Sequence, residues 1–400
     1  MGKKLMILGG SRYVIPVIKK AHEMGVYVIT CDYLPDNIGH KYSDEYYNVS
    51  IIEKDNVLAL AKRLNINGII SFATDPGVVV VSYVAEQIGL PGCPYKSVEI
   101  LQNKDKFRQF LRENGFNVPL SQGFESKEAA LAGITQFSFP VIVKPVDSAG
   151  SKGVSRVDKE TDLEKALDYA FKYSLSGRII IETFLEKVGC SSDTDCFSVD
   201  DELVFASFDC QYFDEKAINP YTPASYSWPS DMPISVQSEL RSELQRLIKL
   251  LHLGTSIYNV ETRLCTDGKP YIMEVSPRGG GNRLSEMLKM ACGEDLIEAN
   301  IRGALGMPVQ ALHDPEYQGV WAEYIIHSNK TGVFKEIKLD DYFSEEYLVE
   351  SDVWVKSGDF ISEFTGANET IGTLVLCFKN NETAQSILRN MDKYVQVVVE

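Results

Sequence analysis

The stretch Ser256–Arg283, SIYNVETRLCTDGKPYIMEVSPRGGGNR, carries two glutamates on segments that its own turn can bring together. Asp267-Gly268 between two alternating runs signals a two-residue hairpin loop. With that loop Glu261 lies directly across from Glu274, and Asn259 across from Ser276. Side chains opposite each other in an antiparallel pair share one face, about 4.5–5.5 Å apart at Cβ. Two carboxylates held there repel, and Ile272, Met273 and Val275 give the pair an apolar flank. Either one carboxylate is protonated, or a divalent cation sits between them. Asn259 and Ser276 add neutral oxygens on the same face, and an oxygen-only set suits Mg²⁺, with Mn²⁺ as a second candidate.

A second stretch, KPVDSAGSKGVSRV over residues 144–157, is basic and glycine-rich. It does not fit Gly-x-x-x-x-Gly-Lys-[Ser/Thr], because Gly150 and Gly153 are too close and Lys152 lies between them. The elements that must position these residues follow from periodicity. KLMIL, VYVITCDY and INGIISFATD read as buried parallel strands with helical patterns between them, a parallel α/β layer over the first hundred residues. There is no G-x-G-x-x-G, so a nicotinamide site is not expected, although Ser11-Arg12, Asp32 and Thr74-Asp75 mark a crevice at the carboxyl ends of those strands. SVEILQNKDKFRQFLRENGFNVP reads as one amphipathic helix closing at Gly115 and Pro119. After it, FPVIVKP, VSRVD, a helix at 162–174 and RIIIETFL form a small α+β unit over about residues 120–185. A strand-rich region follows, interrupted by the polar, aromatic segment 211–233, and a further strand-rich piece runs from about 310 to the end. The expected divisions are 1–102, 103–310 and 311–400.

Four hundred residues suit two or three domains, and 44% hydrophobic with 24% charged residues is ordinary for a soluble globular chain. No apolar run approaches a membrane span, and the apolar part of MGKKLMILGG is too short for a secretory signal. A net charge of −16 argues against nucleic acid or an anionic membrane as partner. Eight cysteines without a C-x-x-C pair read as free thiols in a reducing cytoplasm, Cys190 and Cys196 being the nearest two in sequence, and no metal is assigned to them. The composition accommodates a homodimer and a monomer equally.

Together, two lysines forty residues apart, the Gly/Ser-rich loop, an acidic hinge and the Glu…Glu-x-x-Pro-Arg hairpin resemble the ATP-grasp superfamily of carboxylate–amine/thiol ligases. The nearest members are the L-amino acid ligases, the carbamoyl phosphate synthetase large chain and biotin carboxylase. The resemblance covers residues 1–310 and, more loosely, the remainder. It implies an α/β and α+β architecture: an N-terminal α/β domain, a central ATP-grasp domain with a lid, and a small C-terminal domain. It makes Lys104 the first nucleotide lysine, with Lys106 the competing choice, and Lys144 the second. Ser148, Gly150, Ser151 and Gly153 then belong to a mobile flap over the β- and γ-phosphates. Glu182, with its side chain, and Leu185, with its backbone, would read the adenine edge in Glu182-Thr-Phe184-Leu185. Ile180, Val143 and Met273 are candidates for the apolar walls. Asp193 falls near the acid that holds the ribose, with Asp195 almost as good. Glu261 and Glu274 match the metal ligands, while Ser276 stands where the family has Asn and Asn259 compensates. Arg278 matches the arginine that holds the transferring phosphoryl group, and Arg283 is a candidate substrate-carboxylate anchor, with a surface role as the alternative. Tyr212, Tyr221, Tyr226 and Trp228 are candidates to line a substrate pocket.

The implied chemistry uses ATP and Mg²⁺ to activate a small carboxylate as an acyl phosphate, which an amine then attacks. Alternatives are activation of another carboxylate, as in carbamoyl phosphate synthetase or biotin carboxylase, a kinase acting on a hydroxyl, and a non-catalytic nucleotide sensor. The sensor reading draws on two departures from the family pattern, Asn103 for Asp and Ser276 for Asn.

Overall fold

The computed structural model describes residues 2–148 and 152–400. Strands β1 (Lys4–Leu8), β2 (Tyr27–Asp32), β3 (Glu45–Asn48) and β4 (Gly68–Ser71) form a parallel sheet in the order β3-β2-β1-β4. Leu5 through Leu8 are wholly buried, as expected for a strand covered on both faces by crossover helices. The three parallel strands read from sequence fall within this sheet as β1, β2 and β4, and the short strand β3 completes it.

The expected single helix over residues 97–119 is two helices, Tyr95–Gln102 and Lys104–Glu113. Asn103 breaks the run in an extended conformation, and its side-chain oxygen accepts the Lys106 N–H at 3.0 Å. The apolar period continues across the break because both helices bury residues (Val98, Leu101, Phe107, Leu111) in one core.

Next come β5 (Ser121–Phe124), β6 (Val141–Pro145), β7 (Ser155–Val157) and β8 (Ile179–Thr183), an antiparallel sheet ordered β5-β8-β6-β7. Helix Leu163–Tyr173 covers one face with Leu163, Ala166, Leu167 and Ala170, packed on Val141, Val143, Ile179 and Ile181. The opposite face carries Ile142, Lys144 and Glu182, since alternate strand residues point oppositely.

The chain continues through β9 (Ser192–Val199), β10 (Glu202–Ala206), β11 (Cys210–Phe213), β12 (Pro223–Trp228), β13 (Ser256–Leu264) and β14 (Pro270–Ser276). Of these, β10-β9-β13-β14 form one antiparallel sheet. The final strands are β15 (Val320–Ile326), β16 (Gly332–Leu339), β17 (Leu348–Val353), β18 (Phe360–Ile361), β19 (Gly372–Phe378) and β20 (Val395–Val399). With β11 and β12 they form the sheets β11-β12-β15-β19-β17 and β18-β16-β20. One sheet therefore spans residue 310, and the 211–233 segment contributes strands β11 and β12 to it, joined by an irregular loop. Buried polar groups of its strands find partners, with Tyr212 Oη and Ser227 Oγ 3.2 Å apart and Trp228 Nε1 donating to Thr194 Oγ1 at 3.1 Å. Tyr212, Tyr226 and Trp228 are core residues, whereas Tyr221 lines the cavity described next. Among the described residues no helix is long and apolar enough to cross a membrane.

Candidate active site

A cavity of about 330 Å³ lies between the lid sheet and the β13–β14 hairpin. Helix Lys104–Glu113 supplies one wall, and positions 104, 107, 108 and 111 share its inward face. Lys104 therefore lines the cavity while Lys106, the competing choice, is exposed. From the lid, Ile142 pairs with Glu182 across β6–β8 and Lys144 sits diagonally, within reach of a long side chain.

Glu182 is clamped between cations. Lys144 Nζ stands 2.7 Å from one carboxylate oxygen and Arg108 Nε 2.7 Å from the other. Burial alone would raise this carboxyl, but Arg108 and Lys144 outweigh it and hold Glu182 at about 2. The side chain expected to read the adenine edge lines the cavity, with each of its oxygens in an ion pair that also positions Lys144. Phe184 and Leu185 line the cavity, as do Ile142 and Met273. Val143 points into the lid core and Ile180 is buried without lining the cavity, so those two expected wall residues are core.

Glu261 and Glu274 pair directly across β13–β14, and so do Asn259 and Ser276. The route to that register differs from the expected one. The loop has three residues between Cys265 and Lys269, with Gly268 at φ +79°, and a bulge at Met273 then restores the register. The Met273 carbonyl accepts from Arg108 Nη1 at 2.8 Å. Mutual repulsion of the carboxylates is relieved in a way the sequence does not suggest, because each has its own cation. Lys104 Nζ lies 3.3 Å from Glu274, and Arg263 donates to Glu261. Burial pushes Glu261 up, but Arg263 and then the more distant Lys144 and Arg108 leave it below the ordinary carboxyl value.

The row of acids extends onto β9. Asp193 pairs with Glu261 in register, so Asp193, Glu261 and Glu274 stand side by side on three strands. Asp193 accepts from Asn259 Nδ2 at 2.9 Å and Gln211 Nε2 at 3.2 Å. Burial, then the Glu261 charge, raises it to about 7. Asp193, expected near a ribose, lines the cavity and stands in the acid row that the strand register sets. Asp195 is outside the cavity lining, capping Gly280 N–H at 2.8 Å and accepting from Ser285, and burial raises it to about 6.

Arg278 lines the cavity and binds Asp75 bidentately, Nε to Oδ1 at 2.8 Å and Nη2 to Oδ2 at 2.9 Å. Its Nη1 donates to Asn259 Oδ1 at 3.0 Å. Asp75 is pushed up by burial and brought net below its usual value by Arg278 and Ser276. Ser276 Oγ donates to Asp75 at 2.9 Å and accepts from Gln102 at 3.0 Å, so it braces Asp75 and does not line the cavity. Both neutral oxygens expected as metal ligands, Asn259 and Ser276, are thus engaged by the chain. Glu261 and Glu274 remain as hard oxygen donors facing the cavity, and their chemistry fits Mg²⁺.

Arg283, expected to anchor a substrate carboxylate, lies outside the cavity lining. It stands 2.8 Å from Glu350 on β17 and 3.2 Å from Thr373 on β19, fastening the hairpin exit to the C-terminal sheet. Gly153, expected in the phosphate flap, packs against Pro145 and Tyr173. A Cβ there would meet Pro145 Cγ at 2.7 Å, so close approach rather than phosphate contact requires glycine. Ser148 lines the cavity and its carbonyl accepts from Lys104 at 3.3 Å, while Gly150 and Ser151 lie outside the described residues.

Known proteins share this arrangement of elements. Residues 110–297 match the family described as D-ala D-ala ligase C-terminus. The L-amino acid ligase of Bacillus licheniformis superposes with a TM-score of 0.80 at 20% identity, covering 100% of this chain and 99% of that one. The chain has the ATP-grasp fold.

The biotin carboxylase domain dimer of Hydrogenobacter thermophilus 2-oxoglutarate carboxylase, solved with MgADP, ADP and bicarbonate, shares this ATP-grasp fold. Its TM-score is 0.77 at 16% identity, covering 100% of this chain and 91% of that one. In sequence, the chain is 28% identical over 333 residues to the formate-dependent phosphoribosylglycinamide formyltransferase of Burkholderia thailandensis, 79% of each protein. It is 23% identical over 378 residues to the carbamoyl phosphate synthase large chain of Halomonas eurihalina, 92% of this chain but 34% of that protein, so it spans about a third of that relative.

Arg108, Arg263 and Gln211 also line the ATP-grasp cavity, and sequence reasoning misses all three. Arg108 is detectable four residues after Lys104 on the same helix face. Of the crevice residues at the first sheet, Asp75 reaches the cavity; Ser11, Arg12 and Asp32 do not, and Arg12 stacks 5.0 Å from the Trp354 ring instead.

Proposed function

We propose that this chain is an ATP-dependent carbon–nitrogen ligase that activates a small carboxylate as an acyl phosphate and joins it to an amine, releasing ADP and phosphate. The observation that carries the reading is one cavity in which Lys104 and Lys144 face the Asp193–Glu261–Glu274 row. Lysines on one wall and hard oxygen donors on the other suit a polyphosphate with its cation, and such chemistry rests on positioning and charge stabilisation.

Glu261 and Glu274 would hold Mg²⁺, or Mn²⁺, which when bound neutralises charge on the phosphates. Lys144, steadied by Glu182, and Lys104, released from Glu274, would meet the phosphates. Phe184, Leu185, Ile142 and Met273 would flank the base. Arg278, fixed by Asp75, adds positive charge at the hairpin end, and lid residues 121–183 exclude water from the acyl phosphate. The two departures cited for a non-catalytic sensor have structural duties, since Asn103 caps a helix and Ser276 braces Asp75. The division near residue 102, a cytoplasmic location and a homodimer belong to the same proposal.

Phosphate release from ATP·Mg²⁺ against pooled amino acids and small carboxylates tests the reading, with Glu274→Ala as control. Release confined to particular pools and absent in the variant is expected. ATP binding without release under any pool would refute it.

A further inference from the structure

On the far side of β11 lies a second cavity of about 910 Å³, between the hinge exit, the β11–β12 hairpin and the C-terminal sheet. Cys190, which leaves the hinge, and Cys210, which opens β11, are twenty residues apart in sequence and meet at this cavity's edge. The contact arises because the Gln211 N–H donates to the Ser191 carbonyl at 2.9 Å, bridging the two segments next to the thiols. Asp231, in the loop before helix Ile234–Leu251, completes the cluster, and its backbone N–H donates to Cys210 Sγ at 3.2 Å. One ligand atom from each of the three residues lies within 4.8 Å of the others. Both cysteines are buried and Asp231 is exposed. Cys196 is nearer to Cys190 in sequence, but it is buried in a different core beside β10.

We infer that Cys190, Cys210 and Asp231 form a metal site for a thiophilic divalent ion of the Zn²⁺ type, separate from the ATP-grasp cavity. The donor sets differ in kind. Two thiolates and one carboxylate favour zinc, whereas the oxygen-only set of Glu261 and Glu274 favours magnesium. Three protein ligands leave a fourth tetrahedral position, and the cavity bordering Cys190 gives it access to water or a small donor ligand. Binding forms two metal–sulfur bonds and one metal–oxygen bond and releases the two thiol protons to solvent. Lys187 and Arg389 line the same cavity and act electrostatically on Cys190, offsetting the negative charge of such a centre. An ion here would tie the hinge exit to the sheet shared with the C-terminal strands.

The test is titration of the reduced, chelator-stripped full chain with Co²⁺, followed by Zn²⁺. One equivalent of Co²⁺ with thiolate-to-cobalt charge-transfer absorption, displaced by one equivalent of Zn²⁺, is expected. Cys190→Ser and Cys210→Ser should abolish the absorption. Asp231→Asn, at an exposed position that does not endanger folding, should keep it but weaken Zn²⁺ binding about tenfold or more. Glu274→Gln should change nothing. Absence of the absorption, its persistence in Cys210→Ser, unchanged affinity in Asp231→Asn, or loss in Glu274→Gln would each overturn the site. So would a reduced chain that takes up no metal and yields only a Cys190–Cys210 disulfide with a disulfide oxidant.

Discussion

Replacing Glu182 with glutamine keeps size and one acceptor but removes the charge shared by Arg108 and Lys144. The side chain is only 3% exposed, so little solvent screening relieves the loss. The gap between an ordinary glutamate carboxyl at 4.5 and one held at about 2 corresponds to roughly 3 kcal/mol of stability at neutral pH. Removing one member of a buried ion pair costs a similar amount, about 3–5 kcal/mol. The sign follows from the depressed carboxyl: the stabilisation is fully present above about 4.5 and is lost as pH falls towards 2. Urea unfolding of both proteins should therefore differ by about 3 kcal/mol at pH 7 and by less than half of that at pH 3. Glu186→Gln, an exposed neighbour whose carboxylate is 3.9 Å from Arg156, should shift stability by no more than about 0.5 kcal/mol. Equal stability of Glu182→Gln and the parent at pH 7, or a difference that does not shrink with acid, would refute the clamp.

Lys104→Met should weaken binding of a fluorescent ATP analogue about tenfold or more, roughly 1.4 kcal/mol, whereas Lys106→Met should leave it within about twofold; equal effects would contradict the helix face. Asp193, raised by burial and Glu261, binds its proton more tightly folded than unfolded, so it costs stability as pH rises from about 4 through 7. Measured in chelator, Asp193→Asn should therefore gain on the parent by on the order of 2 kcal/mol between about pH 5 and pH 8. Gly153→Ala forces a side chain at φ +77° into Pro145, and should destabilise the lid by more than about 1 kcal/mol, seen as faster amide exchange in β6 and β7.

What is legible in the sequence is whatever local periodicity encodes. Strands β1, β2 and β4, the lid unit and the opposed glutamates follow from alternation, helical spacing and one turn signal, whereas the two lysines come from the resemblance to the ATP-grasp superfamily. What stays hidden depends on partners far along the chain. Asp75 can be placed in a crevice, but its bidentate grip on Arg278, 203 residues away, needs two sheets docked together. The role of Glu182 escapes a local reading for the same reason, since its two cations come from a separate helix and a neighbouring strand.

The hairpin shows how a local rule can give the right pair for an incomplete reason. Asp267-Gly268 does mark the turn, yet the loop takes one residue more than the simplest hairpin. Carried on without interruption, that register would set Met273 opposite Glu261 and leave Glu274 on the other face. Met273 instead bulges from β14, and the facing of the two glutamates is restored. The acid pair therefore depends on the bulge as well as the turn. Because Arg108 holds both the Met273 carbonyl and Glu182, the helix that carries Lys104 also braces the bulge of the hairpin that carries the acids. Lysine wall and acid row are thus tied together by one guanidinium, which no local pattern in either segment could have shown.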